Sequence, residues 1–312
     1  MAEYPKELAN SQTPKIPADA VLGTQAYGTI VERCPEHTVP RAHLGLEQLH
    51  QFGKLENYNN KLMGGDSAFA PTVAGMNNHE YAHAIQNVTV RAVDTLMSIN
   101  QPTDEHSEEF SLSQLWLVAA AGSADQETVE VVWQVARWRH SGDANPRLPY
   151  LFVYHSWFKY GQGCYDFGCG YVVNPGTSYV IGTSLSNSSV IGGTQVYMDF
   201  QATRDTSGNW WITINGSPSG YYPASNFHLP GMVSQATKID FGGEVDQGID
   251  YGSPIRHSKI RMGSGRKSSE GWGNAAFHTA IQYGVYNAAH PTYYDWFWAS
   301  LSRIPSSASW LL

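Results

Sequence analysis

The sequence predicts an all-β protein, with an antiparallel β-sandwich as its main domain. Only 15% of its 312 residues are charged, whereas glycine and aromatic residues are abundant, with 30 Gly, 10 Trp, 18 Tyr and 11 Phe. From residue 79 onward, β-branched and aromatic runs such as TVEVVWQV and QVYMDFQATR are separated by turn signals such as TSGN and NPGTS. Many short strands without helix-period segments between them are typical of a sandwich or barrel.

The N-terminal quarter differs from the rest in residue pattern. This difference predicts a separate, small mixed region over residues 1–76 and the β-sandwich over 77–312. Residues 41–52, RAHLGLEQLHQF, carry Leu46, Leu49 and Phe52 at helical spacing, and Gly53 follows as a stop signal. The Asn- and Gly-rich stretch over 57–78 then predicts an exposed linker that a protease could cut.

Charge and hydropathy exclude several partners. The formal net charge of −8 provides no basic surface for nucleic acid or an anionic membrane. No apolar run reaches the 18 residues or so that would span a bilayer. We therefore expect a monomer that binds neither nucleic acid nor membrane. The first residues lack the apolar core of a signal peptide, so either the protein stays in the cell or an export signal has been replaced by Met1.

The cysteines indicate in which cellular compartment the protein folds. Cys164 and Cys169 are close enough in GQGCYDFGCGYVV for a turn to join them in a disulfide, although two free thiols are the alternative. Cys34 has no obvious partner. A disulfide requires an oxidising compartment, and three glycosylation-type sequons, beginning at Asn87, Asn187 and Asn215, are compatible with export. We expect a secreted protein.

Residues 79–83, HEYAH, match the H-E-x-x-H pattern of zinc proteases. On a helix His79 and His83 would both reach one metal, and Glu80 would act as general base. However, seven of the fifteen residues over 85–99 are Ile, Val or Thr, which favours a strand. In a strand the two histidines lie about 13 Å apart, too far for one zinc ion. The sequence therefore predicts no metal site and no cofactor.

Two glutamates stand out by their position in predicted strands. In TVEVVWQV, alternation places Glu130 and Gln134 on one face and an apolar row that includes Trp133 on the other. A lone carboxylate in so apolar a strand must face a cleft, water or a partner. Glu244 follows Gly242 and Gly243, and glycines in a strand mark a bulge or the close approach of another backbone. Two unrelated edge-strand glutamates are the alternative.

Seven groups of motifs follow one another along the chain: CPEHTVPRAH (34–43); HEYAHAI (79–85); FSLSQLWLVAA (110–120) with VEVVWQV (129–135); RLPYLFVYHSW (147–157) with GQGCYDFGCGYV (161–172); WWITINGSPSGYYPASNF (210–227); FGGEV (241–245); and RMGSG (261–265). In this order they resemble the neprosin family of glutamic peptidases. The first resembles the family's pro-region motif, and the second resembles the start of its catalytic domain. Val132 departs from the family, which has Gly before the Trp.

The resemblance implies a zymogen whose pro-region, residues 1–76, is removed from a β-sandwich catalytic domain. It also implies an acid-active endopeptidase that cleaves proline-containing peptides and proteins after proline. Glu130 and Glu244 would be the catalytic pair, on facing strands of the sandwich. Two carboxylates held close share a proton, so that one takes a proton from water while the other protonates the scissile amide.

Further residues are expected to support this chemistry. Gln134 is a candidate amide donor to the tetrahedral intermediate, and Gly242 and Gly243 are candidates for substrate contact. Four aromatic residues are candidates for a cleft that holds proline rings, and they are Trp133, Trp157, Trp211 and Tyr222. Glu127, three residues from Glu130, is expected on the opposite face and should tolerate replacement by Gln. The competing hypothesis is an aromatic-rich sandwich that binds carbohydrate without catalysis.

Overall fold

The computed structural model describes residues 20–24, 79–103, 109–228, 231–246, 260–289, 294–299 and 302–303. Of the predicted pro-region over residues 1–76, the structure describes residues 20–24. The predicted helix over 41–52, the linker and Cys34 lie outside the described residues. In the part of the chain that is described, secondary structure consists of strands and three short 3-10 helices, Asp166–Cys169, Ala224–Asn226 and Ser268–Glu270. None of the described helices is long and apolar enough to cross a membrane.

Two β-sheets form the domain. The first sheet has eight strands: β1 (Ala20–Leu22), β3 (Ala92–Ser98), β8 (Val172–Val173), β9 (Gln195–Arg204), β10 (Trp210–Ile214), β11 (Ser217–Tyr222), β13 (His278–Tyr286) and β14 (Tyr294–Trp298). Their order is β14-β13-β3-β9-β10-β11-β8, and β1 pairs in parallel with β9. The remaining pairings in this sheet are antiparallel.

The second sheet has seven strands: β2 (His79–Gln86), β4 (Phe110–Ala119), β5 (Glu127–Val135), β6 (Tyr150–Trp157), β7 (Gln162–Tyr165), β12 (Lys238–Asp246) and β15 (Ser302–Arg303). Their order is β15-β2-β12-β4-β5-β6-β7, and all pairings are antiparallel. The predicted antiparallel all-β fold is confirmed.

The main hydrophobic core lies between the two sheets, and strand β5 shows how alternation fills it. Val129, Val131, Trp133 and Val135 are fully buried members of this core, as the alternation predicts. The indole Nε1 of Trp133 donates a hydrogen bond of 2.9 Å to the carbonyl of Ser98, at the end of β3 in the other sheet. The core face of β5 thus packs one sheet on the other, and Thr128, Glu130 and Gln134 lie on the opposite face.

The segment that begins with HEYAH is extended, as predicted, but it forms two strands rather than one. β2 ends at Gln86 and belongs to the seven-stranded sheet, whereas β3 begins at Ala92 and belongs to the eight-stranded sheet. Residues 87–91 cross between the sheets, and Val90 in this crossing pairs with Ala236 through two backbone hydrogen bonds. A single chain segment therefore links the two layers.

The predicted disulfide joins Cys164 and Cys169, whose Cα atoms are 5.7 Å apart. Cys164 lies on β7, and Cys169 ends the 3-10 helix that follows. Asp166 starts that helix and accepts hydrogen bonds from the Arg139 guanidinium at 3.0 Å and from the Val153 backbone N–H at 3.2 Å. The turn is thus fixed both covalently and by a buried ion pair.

Glu127 does not lie on a tolerant surface, because its carboxylate is buried at one end of the sandwich. It forms a hydrogen bond with His155 Nε2 at 3.1 Å, accepts one from the Met232 backbone N–H at 2.7 Å, and contacts His228 Nδ1 at 3.3 Å. Burial alone would raise the pKa of Glu127, but the hydrogen bonds from His155 and Met232 lower it on balance. These contacts argue against the expectation that Glu127→Gln is neutral, and we predict instead that it destabilises the protein.

A pair of acidic side chains, Asp94 of β3 and Asp199 of β9, lies on the outer face of the eight-stranded sheet. Asp199 is level with Leu96, and Asp94 is level with Gln201, so the two acids are diagonal neighbours. Burial raises the pKa of Asp199 to about 9, with further contributions from the charge of Asp94 and a hydrogen bond to it. One proton is therefore retained by this pair at neutral pH.

This pair predicts how stability varies with pH. Folded Asp199 keeps its proton up to about pH 9, whereas in the unfolded chain it loses it near 3.8. The folded state thus binds more protons between these values, and stability is full below about pH 4 and falls as the pH rises toward 9. Asp199→Asn, which stays neutral, should melt at a higher temperature than the wild type near pH 8, and the difference should vanish near pH 3.

The measurement is a series of thermal melts from pH 3 to 9, with Asp125→Asn in an exposed loop as the control. Parallel melting curves for Asp199→Asn and wild type over the whole range would contradict the assignment.

Candidate active site

Glu130 and Glu244 lie in the same sheet. Glu130 is on β5 and Glu244 is on β12, and strand β4 runs between them. Both side chains are buried, with 0% and 1% exposure. The expectation of facing strands is thus corrected: the two glutamates share one face of the seven-stranded sheet, the side turned away from the other sheet. We call this side the glutamate face.

Pairing registers fix the arrangement on this face. Glu130 is level with Trp116 of β4, which is level with Asp240 of β12. Glu244 is level with Leu112, which is level with Gln134. The two glutamates are therefore offset along a diagonal, by two strands across the sheet and by four residues along it.

Gln114 lies at the midpoint of this diagonal. It is level with Val132 on β5 and with Gly242 on β12. In a flat sheet, two strand spacings of about 4.8 Å and four residues of about 3.4 Å would put the glutamate Cα atoms about 17 Å apart. Gly242 adds no side chain to the space beside Gln114, between the two glutamates.

The carboxylate of Glu130 accepts three hydrogen bonds. Gln114 Nε2 donates to Oε2 at 2.9 Å, and both Thr128 Oγ1, at 3.0 Å, and the Tyr160 hydroxyl, at 2.7 Å, donate to Oε1. Ser156 lies 2.7 Å from Thr128 and completes this polar cluster. Hydrogen bonds to a carboxylate favour its charged form. Donors from β4, from β5 and from the turn after β6 thus fix the position of the Glu130 carboxylate.

Glu244 contacts the first histidine of HEYAH. His79 Nδ1 lies 2.5 Å from Glu244 Oε1, and His83 Nδ1 lies 3.1 Å from Asp240 Oδ1. The two histidines of β2 therefore pair with two different carboxylates of β12. Among the described residues, no group of three His, Cys, Asp or Glu side chains could hold a metal ion. The pattern that resembles a zinc motif forms part of the hydrogen bonding of the glutamate face.

Tyr160 connects the two glutamates electrostatically. Burial raises the pKa of its phenol well above the ordinary value, and the negative charges of Glu130 and Glu244 raise it further. Both carboxylates are therefore close enough to act on one hydroxyl group. The phenol keeps its proton and remains a hydrogen-bond donor.

Gln134 lies on the glutamate face, level with Glu244 across β4. It is fully buried, and neither atom of its side-chain amide has a hydrogen-bond partner among the described residues. A buried amide without partners costs free energy, so such groups in native proteins usually have a reason to exist. A ligand with its own donors and acceptors would satisfy this amide.

The other predicted subsite residues lie elsewhere. Trp133 belongs to the core between the sheets, on the opposite face of β5, and Tyr222 is a core residue of the other sheet. Gly243 also faces away from the glutamates: a Cβ there would lie 2.6 Å from Met262 Cγ, so this glycine makes room for the RMGSG segment. Of the two predicted glycines, only Gly242 lies on the glutamate face.

The aromatic residues of the glutamate face are different from those predicted. Trp157 lies on the other side of β6 and stacks on His228, and Trp211 packs with Tyr221 on the outer face of the eight-stranded sheet. The glutamate face instead has its own apolar cluster, which includes Phe110, Trp116, Phe152, Tyr154 and Tyr165. Trp116 and Tyr154 flank Glu130 directly on the neighbouring strands.

Sequence reasoning missed Gln114, Trp116 and Tyr160. The alternation in FSLSQLWLVAA does place Gln114 and Trp116 on one face of a strand. It does not place them beside the glutamates, because nothing in the local sequence indicates that β4 lies between the strands of Glu130 and Glu244.

The fold and this face define a two-sheet β-protein with a buried glutamate pair on one sheet. Residues 107–300 match the Neprosin family, and the chain belongs to that family. The matched segment contains both glutamates, the hydrogen-bond donors to Glu130 (Gln114, Thr128 and Tyr160) and the disulfide, whereas His79, which bonds to Glu244, precedes it.

Solved structures with similar folds include peptidases and polysaccharide-degrading enzymes. A scytalido-glutamic peptidase with a peptide-based transition state analog aligns with a TM-score of 0.29 and 7% identity, over 66% of this chain and 77% of that one. SCP-B, a member of the eqolisin family of peptidases in complex with the tripeptide Ala-Ile-His, aligns with a TM-score of 0.29 and 6% identity, over 66% and 76%. Porphyranase B from Zobellia galactanivorans gives 0.28 and 14%, over 56% and 58%. All three superpositions are loose.

Proposed function

We propose that this protein is an acid-active glutamic endopeptidase that cleaves peptide bonds after proline, with Glu130 and Glu244 activating a water molecule. The observation that carries the proposal is the placement of both glutamates on one buried face, where their charges act on the same Tyr160 hydroxyl. Membership of the Neprosin family supports a peptidase. Peptides and proteins that contain proline are the proposed substrates, and the disulfide fits export to an oxidising compartment.

Glu130 acts as the general base in this proposal. Its carboxylate accepts hydrogen bonds from Gln114, Thr128 and Tyr160, which stabilise the charged form. It takes a proton from the bound water while the water oxygen attacks the scissile carbonyl carbon. Acid conditions suit the pair because Glu244 must be protonated while Glu130 is ionised.

Glu244 acts as the general acid. His79 Nδ1 lies 2.5 Å from Glu244 Oε1 and holds this carboxyl group in place. Glu244 gives its proton to the amide nitrogen as the C–N bond breaks. Glu130 then holds the proton taken from water, and exchange with solvent restores the starting state.

Gln134 supplies a donor to the reaction. Its amide is buried and lacks partners among the described residues, and it lies level with Glu244. An amide N–H in this position would stabilise the negative oxygen of the tetrahedral intermediate. Trp116 and Tyr154 flank Glu130 and are the aromatic surfaces against which a proline ring would pack.

The test uses two synthetic peptides that differ only by Pro or Ala at one position, incubated with the protein from pH 3 to 8. Mass spectrometry should find cleavage after the proline at about pH 3 to 5 and much slower cleavage of the alanine peptide. Cleavage without preference for proline would reject the specificity but keep the peptidase. Absence of cleavage together with binding to an oligosaccharide would favour the carbohydrate-binding alternative.

Turnover should not depend on a metal ion, because His79 and His83 lie on a strand and pair with different carboxylates. Incubation with EDTA followed by gel filtration should leave the rate of peptide cleavage unchanged. A loss of activity that added zinc restores would instead support metal-assisted hydrolysis.

A further inference from the structure

The turn between β6 and β7 has a strained backbone. Phe158, Lys159 and Tyr160 have φ values of 53°, 53° and 63°, so three consecutive non-glycine residues adopt the left-handed conformation. Each such residue costs on the order of 1–2 kcal/mol, and L-residues rarely adopt it in succession. A turn of this kind persists only where its surroundings determine it.

Two backbone hydrogen bonds hold the turn. The Gly161 N–H donates to the Phe158 carbonyl at 2.9 Å, and the Lys159 N–H donates to the Gln126 carbonyl at 3.0 Å, just before β5 begins. At its end the turn places the Tyr160 side chain on the glutamate face, where the hydroxyl donates to Glu130 at 2.7 Å. Strained backbone conformations in proteins cluster at functional sites.

We propose that Tyr160 is a positioning residue of the catalytic pair: its hydroxyl, delivered by the left-handed turn, orients the carboxylate of Glu130 toward the attacking water. The inference rests on the proposed function. Of the three donors to Glu130, Thr128 and Gln114 come from strands of the sheet itself, on β5 and β4. Tyr160 comes from outside the sheet and donates to Oε1, the oxygen that Thr128 also contacts from β5.

The groups around this hydroxyl come from three strands. Glu130 faces it from β5, Glu244 from β12 and Tyr81 from β2, and all three act electrostatically on its proton. Removing the hydroxyl takes a hydrogen-bond donor away from Glu130. Ionisation of Glu130 then becomes less favourable, so the acid limb of the pH profile should move to higher pH.

The test compares Tyr160→Phe with Tyr165→Phe. Tyr165 is a buried tyrosine five residues further on, and its hydroxyl has no hydrogen-bond partner among the described residues. Tyr160→Phe should lower kcat by about 10- to 100-fold, as expected for loss of a hydrogen bond to a charged group, with KM nearly unchanged. The acid limb of its kcat–pH profile should shift to higher pH. Its melting temperature should stay close to that of the wild type. Tyr165→Phe should leave kcat, KM and the pH profile unchanged.

Glu130→Gln and the double variant Tyr160→Phe/Glu130→Gln separate this inference from the proposed function. If Tyr160 acts through Glu130, the double variant should be no less active than Glu130→Gln alone. Wild-type kcat and pH profile in Tyr160→Phe, with Glu130→Gln inactive, would reject the role of Tyr160 and keep the glutamate pair. Full activity in folded Glu130→Gln would reject the proposed mechanism itself.

Discussion

Replacement of Glu130 or Glu244 by Gln should reduce peptide turnover by about 10³-fold or more, because acid and base act as one unit. Gln has nearly the same volume as Glu but has no carboxyl group that can give or take a proton in this pH range. In Glu130→Gln, Thr128 and Tyr160 can still donate to the amide oxygen, and Gln114 can turn its own unbonded oxygen toward the new NH2 group, so this variant should stay folded. The measurement is the rate of post-proline cleavage at about pH 3 to 5, together with melting temperatures.

The matched control is Asp125→Asn, an equivalent acid-to-amide change on an exposed residue of the loop before β5. It should change neither the rate nor the melting temperature. If either glutamate variant is folded and cleaves at nearly the wild-type rate, that residue has no part in the chemistry.

Replacement of Glu127 should have the largest effect on stability. Glu127→Ala leaves the Met232 N–H and His155 Nε2 buried without their carboxylate partner, which should lower the free energy of unfolding by about 3–5 kcal/mol near neutral pH. Glu127→Gln keeps one oxygen and should cost less, about 1.5–3 kcal/mol. Urea unfolding at pH 7 measures both values.

The pH dependence gives this prediction a second check. The folded pKa of Glu127 is lowered from 4.5, so the stability that it contributes is present above about pH 4.5 and is lost as the pH falls through the folded value. The difference between wild type and Glu127→Gln should therefore shrink in strong acid. A constant difference from pH 2 to 7 would show that the effect comes from packing rather than from the carboxylate.

Local sequence pattern was sufficient for the fold class and for part of the candidate site. Alternation in TVEVVWQV placed Glu130 and Gln134 opposite the core-facing Trp133, and the β-branched content after HEYAH indicated strands. Both conclusions depend only on the period of a strand and on side-chain shape. The short spacing of Cys164 and Cys169 was likewise enough for the disulfide.

Relations between distant strands could not be read in this way. The positions of β4 and β12 beside β5 come from non-local pairing, so Gln114 could not be placed between the glutamates. Glu127 was expected to be tolerant because it lies on the other face of β5, but that face points into the sandwich, where His228 and Met232 contact its carboxylate. The turn that delivers Tyr160 has no glycine at its left-handed positions, so composition gave no sign of it.

The division of residues 79–98 between two sheets has a consequence for how the chain reaches its native state. Residues 79–86 pair with 239–246 and with 302–303, while residues 92–98 pair with 197–203 and with 278–284. The first strands of the domain thus find their partners near the end of the chain, in both sheets. Such a high contact order slows folding, since long loops must close before the pairing stabilises them. Neither sheet can complete its pairing until residues 278–284 and 302–303 have been synthesised, so strands β2 and β3 have unpaired edges until then and need protection from aggregation.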